Sequence, residues 1–116
     1  MLIADIVRIL DATILCGESQ VDQPITAAFG SDMMSDALAF MYEKTVLLTG
    51  MVNAHVIRTA EMLDVHCIVF VRGKPVPDEI LEMGKERDMV LLATTKTLYT
   101  SCGLLYQAGL PSCSRS

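Results

Sequence analysis

Three strand-length stretches of this chain, residues 45–49, 66–71 and 89–93, are apolar almost throughout and do not alternate with polar residues. A strand with one face in water alternates, whereas a continuous run is buried on both faces. The segments between them have apolar residues three and four apart, the period of a helix. Buried strands joined by helix-length connections give parallel pairing, with helices covering the sheet. The expected fold is an α/β three-layer sandwich with a mainly parallel sheet.

The rest of the chain supplies further elements. Ile3, Ile6, Val7 and Leu10 form one stripe of an N-terminal helix, and Thr13–Cys16 reads as a short strand ended by Gly17. Residues 18–24 are polar and turn-like, and Ile25–Phe29 reads as a weak strand stopped by Gly30. Ser31 or Asp32 is placed to cap a helix with Met34, Ala37, Leu38 and Met41 inward. Asn53 is placed to cap a helix with Val56, Ala60 and Leu63 on its stripe. Pro77, Asp78 and Glu79 suit a helix start. A last helix buries Leu98, Cys102 and Leu105 and stops at Gly109 before Pro111. One domain is expected over residues 1–110, with a disordered tail over 111–116.

Charge and cysteine usage bound the function. Nine basic against 14 acidic residues give a net charge of −5, with no basic stripe, so no nucleic-acid partner is expected. No run approaches the ~20 apolar residues that span a membrane. The N-terminus carries Asp5 and Arg8 and reads as a helix and not a signal peptide, so the chain is expected to be cytoplasmic with no membrane partner. Cys16, Cys67, Cys102 and Cys113 form no paired metal spacing and read as buried thiols, so neither a metal nor a cofactor is expected. The eight methionines suit an adaptable core, and a helix patch left over could join two protomers.

Phosphate-binding and catalytic motifs fail on inspection. Gly73–Lys74 has Ile68 where a phosphate loop needs its first glycine and Pro75 where it needs Ser or Thr. No G-x-G-x-x-G or G-x-S-x-G occurs. Asp32 and Asp36, four apart, could share a helix face and hold Mg²⁺ through waters, or serve as favourable charge at a helix start. His55 lies in the first turn after Asn53, where the helix dipole favours neutral imidazole, a base or ligand donor.

Position carries more than residue type here. Ligands of open parallel sheets bind beyond the carboxyl ends of the strands. Those ends carry Ser31, Asp32, Ser35 and Asp36, then Thr49, Gly50, Asn53 and His55, then Arg72, then Thr94, Thr95 and Lys96. Small hydroxyl-bearing residues at helix N-termini suit a small anionic ligand.

The order of these segments is similar to the DRTGG domain family. The similarity runs over residues 2–110 and is sharpest at Gly30-Ser31-Asp32 with Ser35-Asp36, followed by Thr49-Gly50, Asn53, Ile68–Val71 with Gly73, Pro77-Asp78, Thr94-Thr95 and Leu105-Tyr106. Gln23–Ala28 stands where the family's namesake Asp-Arg-Thr-Gly-Gly turn would fall. The resemblance implies a fold like the N-terminal domain of HPr kinase/phosphorylase, which carries no kinase chemistry. It also implies a regulatory module that self-associates as a homodimer. Stand-alone chains of this length resemble proteins encoded beside iron-only hydrogenase and electron-transfer subunits, which makes such proteins candidate partners.

The leading expectation is therefore a non-catalytic regulatory or interaction module sensing a small anionic ligand, with no catalytic residue assigned. The alternatives are a small acid–base enzyme using Asp32 and His55, and an iron–sulfur or redox accessory protein built on the cysteines.

Overall fold

The computed structural model describes residues 1–113. In chain order it has α1 (Ile3–Leu10), β1 (Thr13–Cys16), β2 (Ala27–Gly30), α2 (Met34–Phe40), β3 (Thr45–Thr49), α3 (Ala54–Met62), β4 (Cys67–Phe70), α4 (Asp78–Glu86), β5 (Val90–Ala93) and α5 (Leu98–Gln107). A single 3-10 turn, Glu18–Gln20, interrupts the loop after β1. The strands form one sheet in the order β1-β5-β4-β3-β2. β2 to β5 are parallel to one another, and β1 runs antiparallel along β5.

Because β2, β3, β4 and β5 follow one another across the sheet, their three crossovers fall on one face. Leu47, Ile68, Phe70 and Leu91 point to that face and pack on Met34 and Ala37 of α2, Val56, Ile57 and Ala60 of α3, and Ile80 of α4. The alternate residues Val46, Leu48, Cys67, Val69, Val71, Val90 and Leu92 point to the other face, under Ile3, Ile6 and Leu10 of α1 and Leu105 of α5. Strands buried on both faces explain the continuous apolar runs, and the three-layer sandwich expected from them is the fold observed.

Local chemistry sets the helix ends. Asn53 Oδ1 accepts from the Val56 N–H at 3.1 Å and caps α3. Thr97 accepts from the Thr100 N–H at 3.2 Å and caps α5. Gly109 ends α5 with φ at +103°, which lets the Leu110 N–H return to the Leu105 carbonyl at 3.0 Å. No helix among the described residues is long and apolar enough to cross a membrane.

The structure corrects several expectations. α2 begins at Met34 with Met33 as the residue before it, and neither Ser31 nor Asp32 caps the helix. The Ser31 hydroxyl instead accepts the Met33 N–H at 2.9 Å, and the Asp32 carboxylate turns toward β3. Leu38, expected inward, is 39% exposed, because Met34, Ala37 and Met41 already fill the helix's inner side. β2 starts at Ala27 and includes Gly30, since the Ile25 N–H is held by the Met1 carbonyl and the Thr26 N–H by the Lys44 carbonyl. α5 buries Ser101 and Leu105, with Leu98 and Cys102 half-buried. The tail is not loose from residue 111: the Pro111 carbonyl accepts from Ala28 at 2.8 Å, and the Cys113 N–H donates to the Ala28 carbonyl at 2.9 Å. Pro111 lacks an N–H but keeps a carbonyl free to pair, and β2 is an edge strand with groups to satisfy. Residues 114–116 of the expected tail lie outside the described residues.

Candidate functional site at the carboxyl edge of the sheet

Parallel β2, β3, β4 and β5 bring their carboxyl ends to one edge, and the loops that follow are tied to each other there. Asp32, in the loop after β2, accepts on Oδ1 from the Gly50 N–H at 2.7 Å and from the Thr49 hydroxyl at 3.2 Å. Thr49 is fully buried, and its oxygen also accepts from the Met51 N–H at 3.1 Å. The Asp32 carboxylate therefore fixes the turn that leaves β3.

The loop after β4 brings the positive charge. Arg72 has φ of +67°, a left-handed conformation unusual for a residue with a side chain. Its N–H donates to the Lys96 carbonyl at 2.8 Å, and the next N–H, of Gly73, donates to the Thr94 carbonyl at 3.0 Å. These two bonds clamp the β4 loop onto the β5 loop. The guanidinium then lies back across Gly50, in the space where a Cβ would sit. From there Arg72 Nη2 reaches the Gly50 carbonyl at 3.5 Å and Asp32 Oδ2 at 3.8 Å. Lys74 Nζ donates to the same Gly50 carbonyl at 2.9 Å. Only a glycine admits this approach, so the Thr49-Gly50 pair has a packing reason.

The candidates named from sequence thus divide. Asp32, Thr49, Gly50 and Arg72 come together directly. Thr94 and Lys96 join them through backbone carbonyls. The Thr94 hydroxyl itself points inward, donating to the Leu10 carbonyl at 2.9 Å and accepting from the Lys96 N–H at 3.3 Å. Ser31 and Asn53 are engaged locally, as turn and cap. Thr95 is exposed with its methyl beside Gly73. Ser35, Asp36 and His55 are exposed on first helical turns, and among the described residues no hydrogen bond or ion pair links any of them to Asp32. The acid–base pairing of Asp32 with His55 therefore has no contact behind it. Lys74 was missed as a site residue. No local pattern marked it, since its reach to Gly50 depends on the left-handed turn at Arg72 and Gly73, which the carbonyls of the β5 loop hold in place.

The metal alternatives fare no better. Among the described residues no group of three or more His, Cys, Asp or Glu could hold a metal ion. All four cysteines are free. Cys16 lies in the core under α2, α3 and α4, and Cys67 lies in the core under α1 and α5, so the sheet itself separates them. Burial pushes the Cys67 thiol up to about 12, and raises Cys16 and Cys102 as well, which disfavours the thiolate that iron and zinc require.

Comparison with known proteins agrees with this architecture. Among solved structures, the chain is similar to the CBS and DRTGG domains of the regulatory region of Clostridium perfringens pyrophosphatase, complexed with its activator diadenosine tetraphosphate. The TM-score is 0.70 at 19% identity, over 93% of this chain and 46% of that one, so this chain spans about half the length of that structure. No curated protein sequence matches it. The DRTGG domain family matches residues 5–108, nearly the whole chain, and the protein belongs to that family.

Proposed function

We propose that this chain is a non-catalytic regulatory and interaction module, homodimeric, that receives a small phosphate-bearing anion at the carboxyl edge of its sheet. The observation that carries this reading is the sharing of one carbonyl by two cations. Arg72 and Lys74 both donate to the oxygen of Gly50, and among the described residues their one carboxylate partner is Asp32, 3.8 Å from Arg72. Both cationic side chains are exposed, in a chain whose net charge is −5. Two cations against one acid leave a local positive point, and a guanidinium fork beside an ammonium is suited to phosphate oxygens. The left-handed backbone at Arg72 costs roughly 1–2 kcal/mol, and such conformations gather at ligand clamps. The Clostridium perfringens regulatory region, with its DRTGG domain, binds a polyphosphate activator, a ligand of the same chemistry.

The dimer and a further protein partner complete the proposal. Exposed Met33, Phe40, Met62, Tyr99 and Tyr106 supply apolar surface for association. A hydrogenase or electron-transfer partner rests on the family resemblance and not on this geometry. Thermal-shift titration with diadenosine tetraphosphate, ATP and tripolyphosphate tests the ligand. A bound ligand at 100 times its Kd stabilises by about 2.7 kcal/mol. That is a rise of about 10 °C or more for a domain of this size. An unchanged melting temperature across all three, up to millimolar concentration, overturns the ligand reading. Affinity capture from native extract tests the partner, and recovery of no electron-transfer subunit removes it.

A further inference from the structure

We infer that α5 is the surface through which two copies of this chain pair, antiparallel about a two-fold axis passing near Gly103. This inference rests on the homodimer proposed above and names its interface.

Three independent features of one face point there. The first is shape. Tyr99, Cys102, Gly103 and Tyr106 recur at the spacing of a single helical stripe, and with Ala28 and Gly30 of β2 they line a groove of about 340 Å³. Tyr99 is 90% exposed and Tyr106 73%, so two large rings stand on either side of a dip. The second is Gly103. It lies in the middle of a helix, where glycine is the poorest former after proline. Among the described residues nothing lies within 4 Å of where its Cβ would be, so no contact among them excludes a larger residue. A small residue with no internal reason lets another backbone come close from outside.

The third feature selects a second copy as the occupant. α5, LYTSCGLLYQ, has no Asp, Glu, Lys or Arg, and neither do the groove residues Ala28, Gly30, Leu110 and Ser112. Charged residues make up 20% of the chain, and the net charge is −5. On a two-fold axis every residue near the centre meets its own copy, so any charge there meets a like charge. An uncharged face removes that repulsion, which an acidic protein otherwise imposes on its own association. In this packing Tyr99 stacks near Tyr106 of the second copy, while each Cys102 thiol stays packed on Gly30 of its own chain.

Sedimentation of the wild type is compared with Gly103→Glu, a substitution that fits the free chain and improves helix propensity. A short bis-maleimide then probes the axis in Gly103→Cys, with the wild type as the control. The expected result is a wild-type dimer, and a Gly103→Cys dimer that the reagent cross-links. Gly103→Glu should become a monomer with unchanged circular dichroism, its apparent dimer Kd weakened at least tenfold. A dimer that survives Gly103→Glu and does not cross-link in Gly103→Cys overturns the α5 interface and leaves the homodimer standing. A wild type that sediments as a monomer at every concentration removes the homodimer, and this interface with it.

Discussion

The Asp32 carboxylate holds the Gly50 N–H at 2.7 Å, so a loop after one strand fixes the exit of the next. The same carboxylate offsets part of the charge of Arg72. Replacing it separates these two roles. Asp32→Asn keeps an oxygen for the N–H but removes the charge. It is expected to cost about 1 kcal/mol in urea denaturation, the scale of one hydrogen bond weakened at a half-exposed site. Phosphate affinity is expected to rise, because Arg72 loses its counter-charge. A fall in affinity would mean that Asp32 contacts the ligand in another way.

Thr94 makes the opposite case. Its hydroxyl is buried on the Leu10 carbonyl, tying the end of α1 to the end of β5. Thr94→Val strands that carbonyl in the interior, at a cost of about 1–3 kcal/mol. Denaturation should show the loss, while affinity for anions stays within twofold of the wild type.

The thiols can be ranked by burial. Cys16, Cys67 and Cys113 are buried, and Cys102 is half-buried. Desolvation pushes Cys67 up to about 12 and raises Cys102. Without denaturant, a thiol reagent is expected to modify one cysteine, Cys102, slowly at pH 7 and faster as pH rises, because the thiolate is the nucleophile. Peptide mapping after labelling identifies it. Modification of Cys67 in the folded chain would contradict the packing described.

Asp5 gives a pH dependence of defined sign. The Leu2 N–H bond to its carboxylate, and then the Arg8 bond, hold its pKa below the ordinary 3.8. A group depressed on folding adds stability above its unfolded pKa, and that stability is lost as pH falls through the folded value. Asp5→Asn should therefore lower the melting temperature by a constant small amount above pH 5. The difference should shrink below about pH 3.8. A difference that grows on acidification reverses the sign and the explanation.

What the sequence revealed and what it hid differ in kind. Residues 45–49, 66–71 and 89–93 announced buried parallel strands because burial on both faces leaves a one-dimensional trace. Asn53 and Gly109 announced a cap and a stop because both act within one turn of chain. Asp32 was legible as a polar residue at a strand end but not as the anchor of Gly50, because its partner is 18 residues away. Thr94 and Lys74 are a similar pair. Which of them faces water depends on how the β4 and β5 loops bond to each other, and no local pattern encodes that. Ser112 beside Ala28 was hidden for the same reason, since pairing with an edge strand needs the edge to exist first.

Anion capture by Arg72 and Lys74 is the property on which the regulatory role rests. Isothermal titration of diadenosine tetraphosphate and of tripolyphosphate into the wild-type chain, Gly50→Ala and the Arg72→Ala/Lys74→Ala double variant measures it. In Gly50→Ala the new methyl displaces the guanidinium, whose free end can swing away at little cost to the fold. Binding to the wild type should be saturable and salt-sensitive, and weakened at least tenfold in both variants with their melting temperatures nearly unchanged. Binding of equal strength to all three proteins, or none to the wild type, would contradict it.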